Sequence, residues 1–82
     1  MSEERTTDIV AVPGGVMTDE VGAVTGELTL RTELAEDGTV RQWVRYRGAD
    51  EWYEVTGSRT NLADGRTLDQ VHDAAVALLG RS

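Results

Sequence analysis

Few residues in this chain have the types and spacing that do chemistry. His72 is the only histidine, with Asp69 three residues before it and Asp73 one after. A carboxylate beside an imidazole can serve general acid–base or nucleophilic catalysis, but only if a nucleophile or second polar group converges on the pair. Ser58 and Thr60 have no histidine or lysine near them in sequence. Helical spacing places His72 inside an apolar arc near Val76 and Leu79, so a half-buried packing residue is expected. The acidic pairs Glu3/Glu4, Asp19/Glu20 and Glu36/Asp37 fall on tail or turn segments, with neither metalloprotease nor calcium-loop spacing. Pro13-Gly14-Gly15 is followed by neither a phosphate-binding loop nor a dinucleotide fingerprint. There is no cysteine, hence no disulfide and no thiolate metal site. The expectation is a protein that is not an enzyme, with no cofactor and no metal.

A second group suits recognition better than catalysis. Arg31, Arg41, Trp43, Arg45, Arg47 and Trp52 lie within 22 residues of one another, and arginine and tryptophan are the types enriched at interface hot spots. What positions them is an alternating pattern. Strand side chains point to opposite faces with period two. Residues 27–35, 39–47 and 52–57 read as three antiparallel strands. Leu28, Leu30, Thr32 and Leu34 share one face with Val40, Gln42, Val44, Tyr46, Tyr53 and Val55. The other face carries the arginines, glutamates and both tryptophans.

The first turn fixes the register. Glu36-Asp37-Gly38 suits a three-residue hairpin loop with glycine in the left-handed position. That sets Leu34 opposite Val40, Leu30 opposite Val44 and Leu28 opposite Tyr46. On the outer face it sets Glu33 opposite Arg41, Arg31 opposite Trp43, Thr29 opposite Arg45 and Glu27 opposite Arg47. A two-residue Asp-Gly turn would mix the faces. For the second hairpin a four-residue loop, 48–51, pairs Tyr46 with Tyr53 and Arg45 with Glu54. A two-residue Gly48-Ala49 turn also keeps the faces but puts Glu51 beside Tyr46, and the longer loop is preferred.

Beyond the strands, Thr67-Leu68-Asp69-Gln70 opens a helix over about 68–79 with a capping box, and Gly80 ends it. Its expected stripe is Leu68, Val71, Ala75, Leu78 and Leu79, with Val76 and His72 beside it, facing the aliphatic side of the sheet. The loop before it, 58–66, is marked by Ser58, Thr60, Asn61, Asp64 and Gly65, with Leu62 as its anchor. Residues 1–7 are polar and expected to be a mobile N-terminus. Ile9-Val10-Ala11-Val12 before Pro13 is a candidate fourth strand or an arm packed on the domain, with a mobile tail or a partner-bound segment as alternatives. The fold class expected is α+β: a three-stranded antiparallel β-meander with one C-terminal helix on one face. Residues 8–82 form one small domain.

The 82 residues carry a formal charge of −7, and all eight basic residues are arginine, a usage typical of GC-rich bacterial coding. A net negative chain is poorly suited to non-specific contact with nucleic acid or anionic membrane. The start MSEERTTD has no secretory pattern and no apolar run is long enough to span a bilayer, so a cytoplasmic protein is expected. Because one helix covers one side of a sheet, the Trp/Arg face is the candidate site, with a protein partner or a second copy as its occupant. In order of elements, 27–79 resembles the sheet-and-helix DNA-binding domains at the N-termini of phage-type integrases and the plant AP2 domains. These lay an Arg/Trp-bearing sheet face in the major groove. That resemblance implies the alternative, a DNA-binding regulator using the same face. The double-stranded-RNA-binding domain is a further relative by topology, although its leading helix and basic loop are absent from this sequence. A small enzyme or ligand carrier using His72 is the third reading.

Overall fold

The computed structural model describes residues 3–62 and 65–81. Its elements run β1 (Glu3–Val10), β2 (Val16–Thr18), β3 (Gly22–Val24), β4 (Glu27–Leu34), β5 (Thr39–Tyr46), β6 (Tyr53–Glu54), β7 (Thr60–Asn61) and α1 (Leu68–Leu79). The α+β class with a C-terminal helix is as expected, but the sheet is larger than a three-stranded meander. Its order is β1-β4-β5-β6, β7 also pairs with β5, and β2 and β3 form a separate two-stranded sheet.

The β4–β5 hairpin has the register that turn chemistry and face arithmetic require, including Leu30↔Val44, Arg31↔Trp43 and Glu33↔Arg41. Gly38 sits at φ +90, a conformation that a β-carbon disfavours, and its N–H donates to Ala35 O at 3.0 Å. The second hairpin differs. Val44 pairs with Tyr53 and Trp43 with Glu54, two residues away from the preferred alignment. This is the alignment of the shorter-loop alternative, although Glu51 and Trp52 stay outside the ladder. An even shift leaves each side chain on its face, so alternation is blind to it. The choice comes from the β2–β3 hairpin: Asp19 N–H donates to Glu54 O at 3.0 Å and Thr56 N–H to Met17 O at 2.9 Å. Glu54 N–H also donates to the Glu20 carboxylate at 2.9 Å. Beyond Val55 the chain bulges, and Ser58 Oγ accepts the Gln42 N–H at 3.2 Å before β7 resumes pairing.

β1 is the main addition. Residues 3–7, expected outside the sheet as a mobile N-terminus, pair with β4 from Glu3↔Leu34 to Val10↔Glu27; residues 1 and 2 lie outside the described residues. Few apolar residues hold this strand. Polar ties to its neighbours do so instead: Thr29 Oγ1 donates to Asp8 at 2.8 Å, Arg5 Nε to Asp69 at 2.6 Å, and Thr7 meets His72 at 2.7 Å. In the loop before the helix, Leu62, its expected anchor, is half-buried and donates its N–H to Gly38 O at 3.0 Å, while Asp64 lies outside the described residues.

The core lies between the inner sheet face, α1 and the segment before β4. It comprises Ile9, Ala11, Val16, Val24, Leu28, Leu30, Val44, Val55 and Ala75. Burying a large aliphatic side chain of this kind is worth roughly 1.5–3 kcal/mol. The expected capping box is present: Thr67 Oγ1 accepts Gln70 N–H at 3.2 Å and Gln70 Oε1 accepts Thr67 N–H at 3.0 Å. The helix is rolled from the expected stripe. Its buried residues are Leu68, His72 and Ala75, while Leu78 is 74 % exposed. Tyr46, assigned to the inner face, is exposed at the end of the sheet. Gly80 is extended rather than left-handed and bridges Ala11, where an added β-carbon would come within 3.1 Å of Ile9.

Candidate interface on the outer sheet face

β4 and β5 place Arg31, Arg41, Trp43, Arg45 and Arg47 on the face away from the helix, as the alternation requires. Trp52 reaches the same face from the connection before β6. Trp52 lies between two arginines, with the guanidinium of Arg45 at 4.6 Å and that of Arg31 at 5.3 Å from its ring centroid. Trp43 carries Arg41 at 4.9 Å rather than its cross-strand neighbour Arg31. Such contacts are worth about 0.5–1 kcal/mol at exposed sites. Arg31, Trp43 and Trp52 line a shallow cleft of about 210 Å³. Beside it Thr6, Thr7, Asp8, Thr29 and Arg45 line a polar depression of about 340 Å³.

The face is also a lattice of ion pairs, and the pairing follows the shifted β6 alignment. Arg41 reaches Glu54 with two nitrogens at 3.2 Å, where the longer loop had put Arg45 beside Glu54. Hydrogen bonding from Arg41 holds the Glu54 carboxyl below its usual range and raises the Arg41 guanidinium. Arg59 approaches Glu54 to 3.5 Å. Glu33, opposite Arg41 in the ladder, binds Arg31 at 2.7 Å instead. Arg31 Nε also comes within 3.1 Å of Glu4, without the alignment of a hydrogen bond. Arg47 pairs with Glu27 at 2.7 Å as expected and donates to Ile9 O at 2.9 Å, so it does not stack on an indole. Arg45 has no acidic partner among the described residues. Among the described residues, three buried side-chain nitrogens make no aligned hydrogen bond, Arg31 Nε, Trp43 Nε1 and Arg45 Nε, and all three belong to this face.

Sequence reasoning missed Glu4 and Asp8 as members of the face, because it left 3–7 outside the sheet and set no register for the candidate strand that follows. The β-branched run Thr6-Thr7 leading into Ile9-Val10 was the available signal. Nothing folds across the tryptophans from that segment: Ile9 and Ala11 turn into the core on the opposite side, 5 % and 6 % exposed.

His72 is also in the core, 5 % exposed. Thr32 Oγ1 lies 2.7 Å from Nδ1 and Thr7 Oγ1 lies 2.7 Å from Nε2, so one hydroxyl donates to the bare nitrogen and the other accepts from the ring N–H. Burial lowers the imidazole pKa from 6.5, and Arg5 adds to that, against Asp73 and Asp69. Asp69 is engaged by Arg5. Both ring nitrogens are therefore occupied by structural partners. Among the described residues no group of three or more His, Asp or Glu could hold a metal ion. Nor is any helix among the described residues long and apolar enough to cross a membrane. Set beside protein-family models, curated proteins and solved structures, the chain matches none of them.

Proposed function

We propose that the protein is a small cytoplasmic binding or accessory protein, not an enzyme, whose outer sheet face contacts another protein. The observation that carries this reading is the uncovered face itself. Two tryptophans lie there among arginines, with guanidinium groups stacked over both rings. Tryptophan and arginine are the types enriched at interface hot spots, so an uncovered face that carries both suits contact with a partner. Such a partner brings acceptors, carbonyls or carboxylates, against rigid aromatic anchors. The DNA-reading alternative uses the same residues but has less charge to work with. Arg31, Arg41 and Arg47 are each neutralised by carboxylates of their own chain. The packing role of His72 weighs against the enzyme or carrier reading.

The test is a paired recovery. Wild type and a Trp43→Ser/Trp52→Ser variant of equal helix content are used to capture proteins from the source cell extract. A partner retained by wild type and lost by the variant supports the reading. Equal recovery of every protein by the two rejects it.

A further inference from the structure

We infer that the partner of the outer face is a second copy of this chain, joined by a two-fold axis lying parallel to the strands. This rests on the interface reading above and adds the identity and orientation of the occupant. Charge favours this occupant. The face holds Arg31, Arg41, Arg45, Arg47 and the adjoining Arg59, against Glu4, Asp8, Glu27, Glu33 and Glu54. Five positive and five negative charges cancel, so the formal −7 of the chain resides wholly in the other residues. Two copies repel least through this surface, whereas a polyanion finds no net attraction there.

The order of charges across the face favours the same occupant. The β1 edge contributes only acids, Glu4 and Asp8, while β5 contributes Arg41, Arg45 and Arg47. The acids retain capacity: the side chains of Glu4, Asp8 and Glu27 are 57 %, 61 % and 69 % exposed. Closed dimers are isologous, so the face must complement itself. A two-fold axis along the strands lays β4 of one copy over β5 of the other and the acidic β1 edge over the β5–β6 side. Glu33 and Glu27 then meet the Arg41 and Arg47 rows, and Asp8 comes toward Arg45, which has no acidic partner among the described residues. The other in-plane axis sets β1 on β1, acid against acid, and is disfavoured. Aligned sheets pack in this way in sandwiches.

The extent of the face bears on strength: its three eight-residue strands span about 14 by 27 Å, roughly 400 Å² per copy. The total of about 800 Å² is small for a specific interface, which points to a weak, reversible dimer and not a permanent one.

Sedimentation equilibrium from about 10 µM to 1 mM, in low salt, tests this. Wild type is expected to dimerise reversibly. Asp8→Arg and Arg45→Asp are each expected to raise the dissociation constant at least tenfold. In an equimolar mixture of the two variants, one contact is charge-reversed and the other native, both are complementary, and dimer is expected to return as the heterodimer. Circular dichroism confirms folding. If either reversal unfolds the chain, Asp8→Asn and Arg45→Gln replace it, each expected to weaken the dimer severalfold. A wild type that stays monomeric to 1 mM overturns the inference, as does a mixture no more associated than its components. The paired recovery is independent of this result. A monomeric protein that still retains a tryptophan-dependent partner loses the second copy but keeps the interface, whereas loss of both removes the face as a binding surface.

Discussion

His72 offers the sharpest test of the packing argument. Its ring joins α1 to β4 through Thr32 and to β1 through Thr7, each at 2.7 Å. Thr32 is 0 % exposed, so its hydroxyl has no access to solvent. His72→Leu leaves that hydroxyl without a partner, which costs about 1–3 kcal/mol. Leucine returns some apolar burial, and a net loss of about 1–2 kcal/mol is expected. Thr32→Val alone strands the ring Nδ1 at a similar cost. With both partners made apolar, little should be lost beyond one single variant, because replacing both ends of a buried hydrogen bond is nearly neutral. The assay is urea unfolding at pH 7.5 of the four proteins in the cycle, followed by circular dichroism and tryptophan emission. A coupling of about 1–2 kcal/mol is expected with an unchanged denaturant slope. Additivity within about 0.5 kcal/mol, or a neutral His72→Leu, would falsify the bridging role.

The same residue sets a pH dependence. Its folded pKa lies below 6.5, so as pH falls through 6.5 the unfolded chain takes up the proton first and stability declines toward the folded value; His72→Leu should flatten that limb in unfolding measured from pH 7.5 to 5. A second loss should begin below pH 4.5, where Glu54 held low by Arg41 must protonate on unfolding, and Glu54→Gln should remove part of it. Gly38→Val should cost more than about 1 kcal/mol in urea midpoint analysis, from φ +90 alone, since no atom lies within 4 Å of the added carbon. Gly15→Ala should cost more, because its carbon would stand 2.6 Å from Val24 O at a φ that is already strained. Anisotropy with labelled duplex DNA should show no binding near physiological salt; tight binding with a log–log salt slope near −3, as about three or four phosphate contacts give, would restore the DNA alternative.

The sequence by itself determined what short-range chemistry controls. The three-residue loop ending at Gly38 and the two opposed face compositions allow one β4–β5 register, and that register is present. Thr67 and Gln70 lie within one helical turn, so their mutual cap needs no distant partner. The face of the β4 and β5 arginines and Trp43 followed from period two, whereas Trp52 reaches it from outside the ladder. Tertiary structure decided what parity cannot. β6 had two alignments that kept every side chain on its face, and the bonds from Asp19, Glu20 and Met17 selected one of them. With it, Arg41 rather than Arg45 received Glu54. β1 carries almost no apolar alternation, so its pairing became legible only once Thr29, Asp69 and His72 were in place to receive Asp8, Arg5 and Thr7. His72 was placed correctly in the apolar arc, but its centre position and the exposure of Leu78 depend on two threonines 40 and 65 residues away. Local sequence fixes turns, caps and the parity of faces. Backbone groups and polar side chains far apart in the chain must meet before the remaining registers and ion pairs are decided, because their hydrogen bonds are satisfied only in the assembled fold.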